Sequence, residues 1–197
     1  MLNQLRPAVV MVALFTLLLG IAYPFAVTGI AQVAFPSQAD GSLIRNPQGQ
    51  IVGSALIGQP FAEAGYLHPR PSAAGDGYDA SASSGSNLGP LNPDLAARIR
   101  TDAAAIRAET GATSIPADAV TTSASGLDPD ISPAYARLQA ARVAQARGVD
   151  VATVQAVIDE NTEGALLGFI GQPRVNVLLT NRALDARFPD ARLPGAT

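Results

Sequence analysis

The chain has 197 residues, enough for one folded domain beside a membrane segment, and its 13 basic residues are all arginine, set against 16 acids for a net charge of −3. The lack of lysine removes phosphate-loop and Schiff-base chemistry. The lack of cysteine removes thiol nucleophiles, thiolate metal sites and a lipoprotein anchor, and a single histidine removes every multi-histidine metal site.

Residues 7–39 carry no charge. Within them, the run from Ala8 to Ala26 is long enough, at about 1.5 Å per residue, to cross a hydrocarbon core of about 30 Å. Its ten strongly apolar residues, at roughly −0.3 to −0.6 kcal/mol each, favour insertion by several kcal/mol. A cleaved signal sequence is the alternative, since Gly29-Ile30-Ala31 fits a small-x-small site loosely. The run is longer than a signal's apolar region, however, and continues through Val27, Ile30 and Val33, which favours a retained anchor. Arg6 and the amino terminus are the only positive groups on the short side, so that side is expected in the cytoplasm and the bulk of the chain outside. Thr16 and Gly20 form a small-xxx-small pair that would let a partner helix approach closely; the plainer reading is a pair of tolerated small residues in an anchor.

After the anchor (residues 1–34), residues 35–197 hold 12 arginines against 16 acids, a mildly acidic domain unsuited to nucleic acid. Phe35 to Ser42 reads as a turn-rich exit, with Asp40-Gly41 the turn signal. Gln50 to Gly58 reads as a strand buried on at least one face, with Ile51, Val52, Leu56 and Ile57 as core. From Pro69 to Pro93, 13 of 25 residues are Gly, Pro or Ser, without hydrophobic period. A loop that long is functional or disordered. The spacing of Tyr66, Leu67, Tyr78, Leu88 and Leu91 favours a loop that is pinned down. Pro69-Arg70-Pro71 sets Arg70 on a stiff extended segment, facing either an internal carboxylate that clamps the loop or a partner.

Asn92-Pro93 predicts a helix start, with Leu95, Ile99 and Ile106 on one face, Arg98, Asp102 and Glu109 on the other, and Gly111 as the stop. Ser132-Pro133 predicts a second helix carrying Tyr135, Leu138 and Val143 and ending at Gly148. Asp150 predicts a third through Val151, Val154 and Ile158. Pro173 to Leu179 alternates as a strand, and the tail after Pro189 is expected to fray. The fold class is therefore α/β of the mixed α+β kind: one transmembrane helix, then a single extracytoplasmic domain with a small sheet and about three helices.

Chemistry finds few footholds. Gly75-Asp-Gly-Tyr-Asp-Ala80 spells a dinucleotide fingerprint but follows no strand and opens no helix. Asp128-Pro-Asp130 lacks companion oxygen ligands and better suits a charge favouring the helix start at Ser132. His68 and Ser72 lack the strand-turn-helix motif of a hydrolase. No catalytic or metal residue is assigned. The serine-rich runs Ser84 to Pro93 and Ser123 to Pro133 share a Leu-x-Pro and a capped helix start, so the two loops could face each other.

Leu56-Ile-Gly-Gln59, Arg70-Pro-Ser-Ala73, Tyr78-Asp-Ala80, Ser83-Ser-Gly-Ser-Asn-Leu-Gly-Pro90, Ser125-Gly-Leu-Asp-Pro129, Arg142-Val-Ala144, Ala146-Arg-Gly148, Thr162-Glu163 and Pro173-Arg-Val-Asn-Val-Leu178 follow one another behind a single amino-terminal span. In this the chain resembles the C subunit of the Kdp potassium-transporting P-type ATPase, and the Ser83–Pro90 block is the most specific match. The resemblance implies a non-catalytic accessory subunit assembled in the bilayer with a channel-like potassium-translocating subunit, a P-type ATPase subunit and a small membrane peptide. It also implies a catalytic chaperone that raises the ATP affinity of the ATPase subunit, with direct ATP binding a family-level possibility. A domain outside the membrane does not meet ATP, which favours indirect coupling through the span and the channel subunit's outer face. Candidate partner-contact residues are Thr16, Gly20, Arg70, Ser84, Ser86 and Asn87. The competing reading is a free-standing, membrane-anchored periplasmic binding or hydrolytic protein.

Overall fold

The computed structural model describes residues 2–188, which fall into two units, one up to residue 54 and the other from residue 55. The predicted fraying after Pro189 lies outside the described residues.

The first unit opens with helix α1, Leu5–Ala34, long and apolar enough to cross a membrane. At about 1.5 Å per residue it spans about 45 Å. A π-helical turn, Leu18–Ala22, interrupts it. The cause is Pro24, which has no N–H for the carbonyl of Gly20 and whose ring would strike that carbonyl. Ahead of it, the Tyr23 N–H bonds five residues back to Leu18 O, and the wider turn relieves the collision. The large apolar side chains of α1 are exposed throughout, so lipid or another helix has to cover them.

A single helical turn, Pro36–Ala39, then leads to the turn expected at Asp40-Gly41. The antiparallel hairpin of β1 (Leu43–Arg45) and β2 (Ile51–Ser54) follows. Its turn is held by Asn46, whose Oδ1 accepts the Gln48 and Gln50 amides. The strand expected over Gln50 to Gly58 is thus confined to four residues, and its expected core is not core: Ile51 is 54% and Leu56 61% exposed, with Val52 and Ile57 also exposed. Apolar run length cannot separate a buried strand from one arm of a bare hairpin, because burial needs an opposing layer and a lone pair of strands supplies none for Ile51 and Val52; Leu56 and Ile57 lie beyond the strand's end.

The second unit holds α2 (Pro93–Thr110), β3 (Asp130–Ile131), α3 (Pro133–Arg147), α4 (Val151–Glu160), β4 (Thr162–Glu163), β5 (Arg174–Asn176) and α5 (Val177–Arg187). The predicted ends of α2 and α3 hold because their caps are physical. Asn92 Oδ1 accepts the Asp94 amide at 2.8 Å, Ser132 Oγ accepts the Tyr135 amide at 3.1 Å, and Gly111 and Gly148 close the helices in the left-handed conformation. Asp150 stands at the predicted start of α4 but gives no side-chain cap, and Val151 in its first turn is exposed.

The carboxylate serving the start of α3 is Asp118, not the expected Asp128-Pro-Asp130 pair. Asp118 accepts Ser132 N at 2.6 Å and Ser132 Oγ at 2.9 Å. The strand expected over Pro173 to Leu179 ends at Asn176, whose Oδ1 caps the Leu179 amide and starts a fourth helix in this unit, α5. β3, β5 and β4 form an antiparallel sheet in that order, with Val175 facing both Ile131 and Thr162. The core lies between this sheet and α3, α4 and α5, around Ile131, Val143, Val154, Ile158, Val175 and Leu184. α2 is peripheral: Ala103 is its only fully buried residue among the described ones, while Leu95, Ile99 and Ile106 are half-buried.

Candidate functional site

The irregular segments of the second unit are fastened together, and the fasteners are the residues that sequence analysis singled out. Arg70 Nη1 donates to Asp128 Oδ2 at 2.7 Å, and its other nitrogens reach Thr121 O and Oγ1. Arg70 is therefore the internal clamp of the two readings, three-quarters or more shielded and occupied within the chain. Ser72 Oγ donates to Gly126 O at 2.6 Å and accepts the Ala74 and Tyr78 amides. Tyr78 O–H donates to Arg70 O at 2.5 Å. Burial, and then the Asp128 charge, raise the Tyr78 phenol above its ordinary value.

Two glycines make the close approach possible. A Cβ on Gly58 would lie 2.6 Å from Asp128 O and 2.8 Å from the Tyr78 ring, and one on Gly126 would lie 2.6 Å from both Ala74 N and Ser84 O. The two serine-rich loops do face each other: the Ser84 amide and Ser83 Oγ both donate to Ser125 O, at 3.0 and 2.9 Å. Scattered motifs at residues 58, 70–72, 78, 83–85 and 125–128 thus form one clasp. Of the loop's expected pins, Tyr66 and Leu67 are buried, Tyr78 and Leu88 are half-buried, and Leu91 is 96% exposed.

The remaining candidate contacts are spread out. Ser84 and Ser86 are half-buried, and Asn87 is exposed with φ +53°. Thr16 and Gly20 share a face of α1, since a Cβ on Gly20 would sit 3.9 Å from Thr16 Cγ2, an ordinary contact. His68 and Ser72 are engaged separately: His68 Nε2 faces Glu63 O at 3.1 Å while Ser72 serves Gly126. Asp128 and Asp130 each hold an arginine, Arg70 and Arg174. Burial raises the Asp130 carboxyl above its ordinary value, with Arg174 opposing.

Sequence reasoning missed a second set of polar residues. Residues 64–68 run through the second unit outside any strand, so their backbone groups have no ladder. Side chains supply the partners. Arg147 Nε takes Gly65 O at 2.6 Å, Arg142 Nη1 takes Ala64 O and Tyr66 O, Asn181 brackets Leu67 with bonds to N (2.7 Å) and O (3.0 Å), and Gln139 does the same for His68. Arg147 also pairs with Asp185 at 2.8 Å and lies 4.9 Å over the Tyr66 ring. The available signal was Gln139 and Arg147 falling among Tyr135, Ala136, Val143 and Ala144 on the buried face of α3, with Arg142 at its edge.

His68 lies in a shallow cleft with Glu109, Tyr135, Gln139 and Arg142. Burial, and then the Arg142 charge, lower its pKa below the ordinary 6.5, while the hydrogen bond to Glu63 O and then the Glu109 charge oppose. Burial also raises the Tyr135 phenol to about 12. The unfolded chain protonates His68 first as pH falls, so this residue's share of stability is complete above pH 6.5 and is lost as pH falls through 6.5 towards the folded value. The thermal midpoint of the full chain in detergent is expected to fall between pH 7.5 and 5.5, and His68→Gln to flatten that slope. An unchanged slope in the variant would show that His68 carries none of it.

The model of the family described as "KdpC: K+-transporting ATPase, c chain" matches residues 5–186. The Potassium-transporting ATPase KdpC subunit of Caulobacter sp. (strain K31) is 69% identical over 189 residues, 96% of each chain. The subunit of the same name from Beijerinckia indica is 64% identical over 196 residues, 98% of this chain and 99% of that one. The one from Myxococcus xanthus is 55% identical over 195 residues, 96% of this chain and 90% of that one.

Proposed function

This chain belongs to the KdpC family, the c chain of K+-transporting ATPase, and from that premise we propose that it is a non-catalytic accessory subunit, held in the cell inner membrane by residues 1–34 with residues 35–197 on the periplasmic side. Its neighbours in this reading are the potassium-translocating subunit, the ATP-hydrolysing subunit and the small membrane peptide. It stabilises their assembly and raises the ATP affinity of the hydrolysing subunit through indirect coupling by way of the span. The observation that carries the proposal is α1: a helix of 30 residues with its apolar side chains uncovered and Arg6 at its start, joined to a unit whose polar motifs are taken up in fastening its own loops.

The test is Gly20→Leu. A Cβ at this position meets nothing closer than 3.9 Å, so the backbone there admits a side chain. If the Thr16 and Gly20 face carries the contact, the larger side chain holds the partner helix away, and recovery of the complex from detergent falls about five- to tenfold. Undiminished recovery would overturn that contact, and a chain recovered alone from cells that make every subunit would overturn the assembly role.

A further inference from the structure

The hairpin loop joining β4 to β5 exposes four large apolar side chains within five residues: Leu166, Leu167, Phe169 and Ile170, with Leu167 and Phe169 76% and 77% exposed. Residues 164–173 carry no charge. Isolated apolar side chains on a surface need no explanation, whereas an adjacent group of them marks an interaction site.

The loop is fixed in shape. Leu166 and Ile170 exchange both backbone hydrogen bonds at 2.9 Å, and the Gly168 and Phe169 amides bond to Ala165 O and Leu166 O. The tip therefore offers apolar side chains while the amides of Leu166, Gly168, Phe169 and Ile170 are already paired, and these four donors are not stranded in a dry environment. Leu167 and Gly168 take the left-handed conformation one after the other, φ +55° and +81°. That geometry suits a tight hairpin, but it favours Asn or Gly at the first position. A leucine there costs about 1 kcal/mol or more of backbone strain and places an apolar side chain at the tip.

The borders of the loop bear on what covers it. Arg174 is shared between Glu163, at 2.6 Å, and Asp130, at 3.2 Å, which leaves one carboxylate over. A loop that enters a bilayer is flanked by cations free to meet anionic headgroups; here the single cation at the border, Arg174, is already held by Glu163 and Asp130, and the three together carry a net charge of −1. A rigid, internally bonded tip also suits a surface of complementary shape better than fluid lipid. We propose that residues 164–173 form a docking wedge, seating Leu167 and Phe169 in an apolar socket with a cationic rim on a neighbouring subunit of the potassium-transporting ATPase. The inference rests on the assembly role proposed above.

The test uses the complete ATPase carrying the full-length chain with p-benzoylphenylalanine in place of Phe169. Irradiation is expected to join the chain to one other subunit. A product with lipid only, or none, from a complex that is still recovered intact would overturn the wedge and leave the assembly role standing; a chain recovered alone would overturn both. The double variant Leu167→Asp with Phe169→Asp is expected to lower complex recovery about tenfold or more while the thermal midpoint of the purified chain does not fall, since Asp tolerates the left-handed position better than Leu. Undiminished recovery would overturn the wedge.

Discussion

Gly126→Ala is expected to destabilise the folded chain by about 3 kcal/mol, combining left-handed strain of about 1 kcal/mol with overpacking of about 1–3 kcal/mol. Gly126 has φ +68°, and its missing side chain is the space into which Ala74 N and Ser84 O fit at 2.6 Å from where a Cβ would stand. The obstruction is backbone on both sides, so relief requires the loops at residues 72–74 and 83–85 to part from 125–127. With them go the bonds from Ser72 to Gly126 O and from Ser84 N to Ser125 O. A thermal midpoint lowered by about 6–12 °C is the readout for a domain of this size. Gly89→Ala is the control: Gly89 lies in the facing serine-rich loop, has no left-handed φ, and has nothing within 4 Å of a Cβ. Its substitution is expected to be neutral or to stabilise by a few tenths of a kcal/mol. Equal losses from the two would show that the clasp contributes nothing particular.

The second large effect is expected at Asn181. This side chain is 1% exposed and satisfies both backbone groups of Leu67, itself fully buried. Asn181→Ala strands a buried donor and a buried acceptor at about 1–3 kcal/mol each, a loss of about 2–5 kcal/mol. Asn181→Asp separates hydrogen bonding from packing, because it keeps the shape and the acceptor for Leu67 N but turns a carboxylate oxygen towards Leu67 O. Burial and that carbonyl raise the folded pKa of the introduced carboxyl, so the variant is destabilised at neutral pH and regains stability as pH falls through the raised value. Urea midpoints at pH 7 and pH 5 measure the recovery. A variant that loses further stability on acidification, relative to the parent chain, would place the defect elsewhere.

These two sites differ in how far the sequence disclosed them. The clasp was half legible. The stiff Pro69-Arg70-Pro71 and the two similar serine-rich runs announced a pinned loop and two loops able to face each other, and Arg70 meets Asp128 as an internal clamp. Which carboxylate it would find could not be read, because Asp128 is 58 residues away along the chain. Asn181 was not legible at all. An asparagine next to Arg182 reads as surface, and its role appears only once residues 64–68 run past α5 without a strand partner.

Local chemistry explains what the sequence determined by itself. The charge-free run that forms α1 and the caps that open and close α2 and α3 act over one or two turns, and each is written in adjacent residues: Asn92-Pro93, Gly111, Ser132-Pro133, Gly148. Family membership was legible for a similar reason, as a series of short motifs in fixed order. Tertiary structure alone decided where the apolar segments went. Ile51 and Val52 stay exposed for want of an opposing layer, while Val177 and Leu178, at the end of what reads as a strand, are buried on a helix begun by the Asn176 cap. Whether an apolar side chain is covered depends on what another part of the chain brings to it, and no local pattern of residues contains that information.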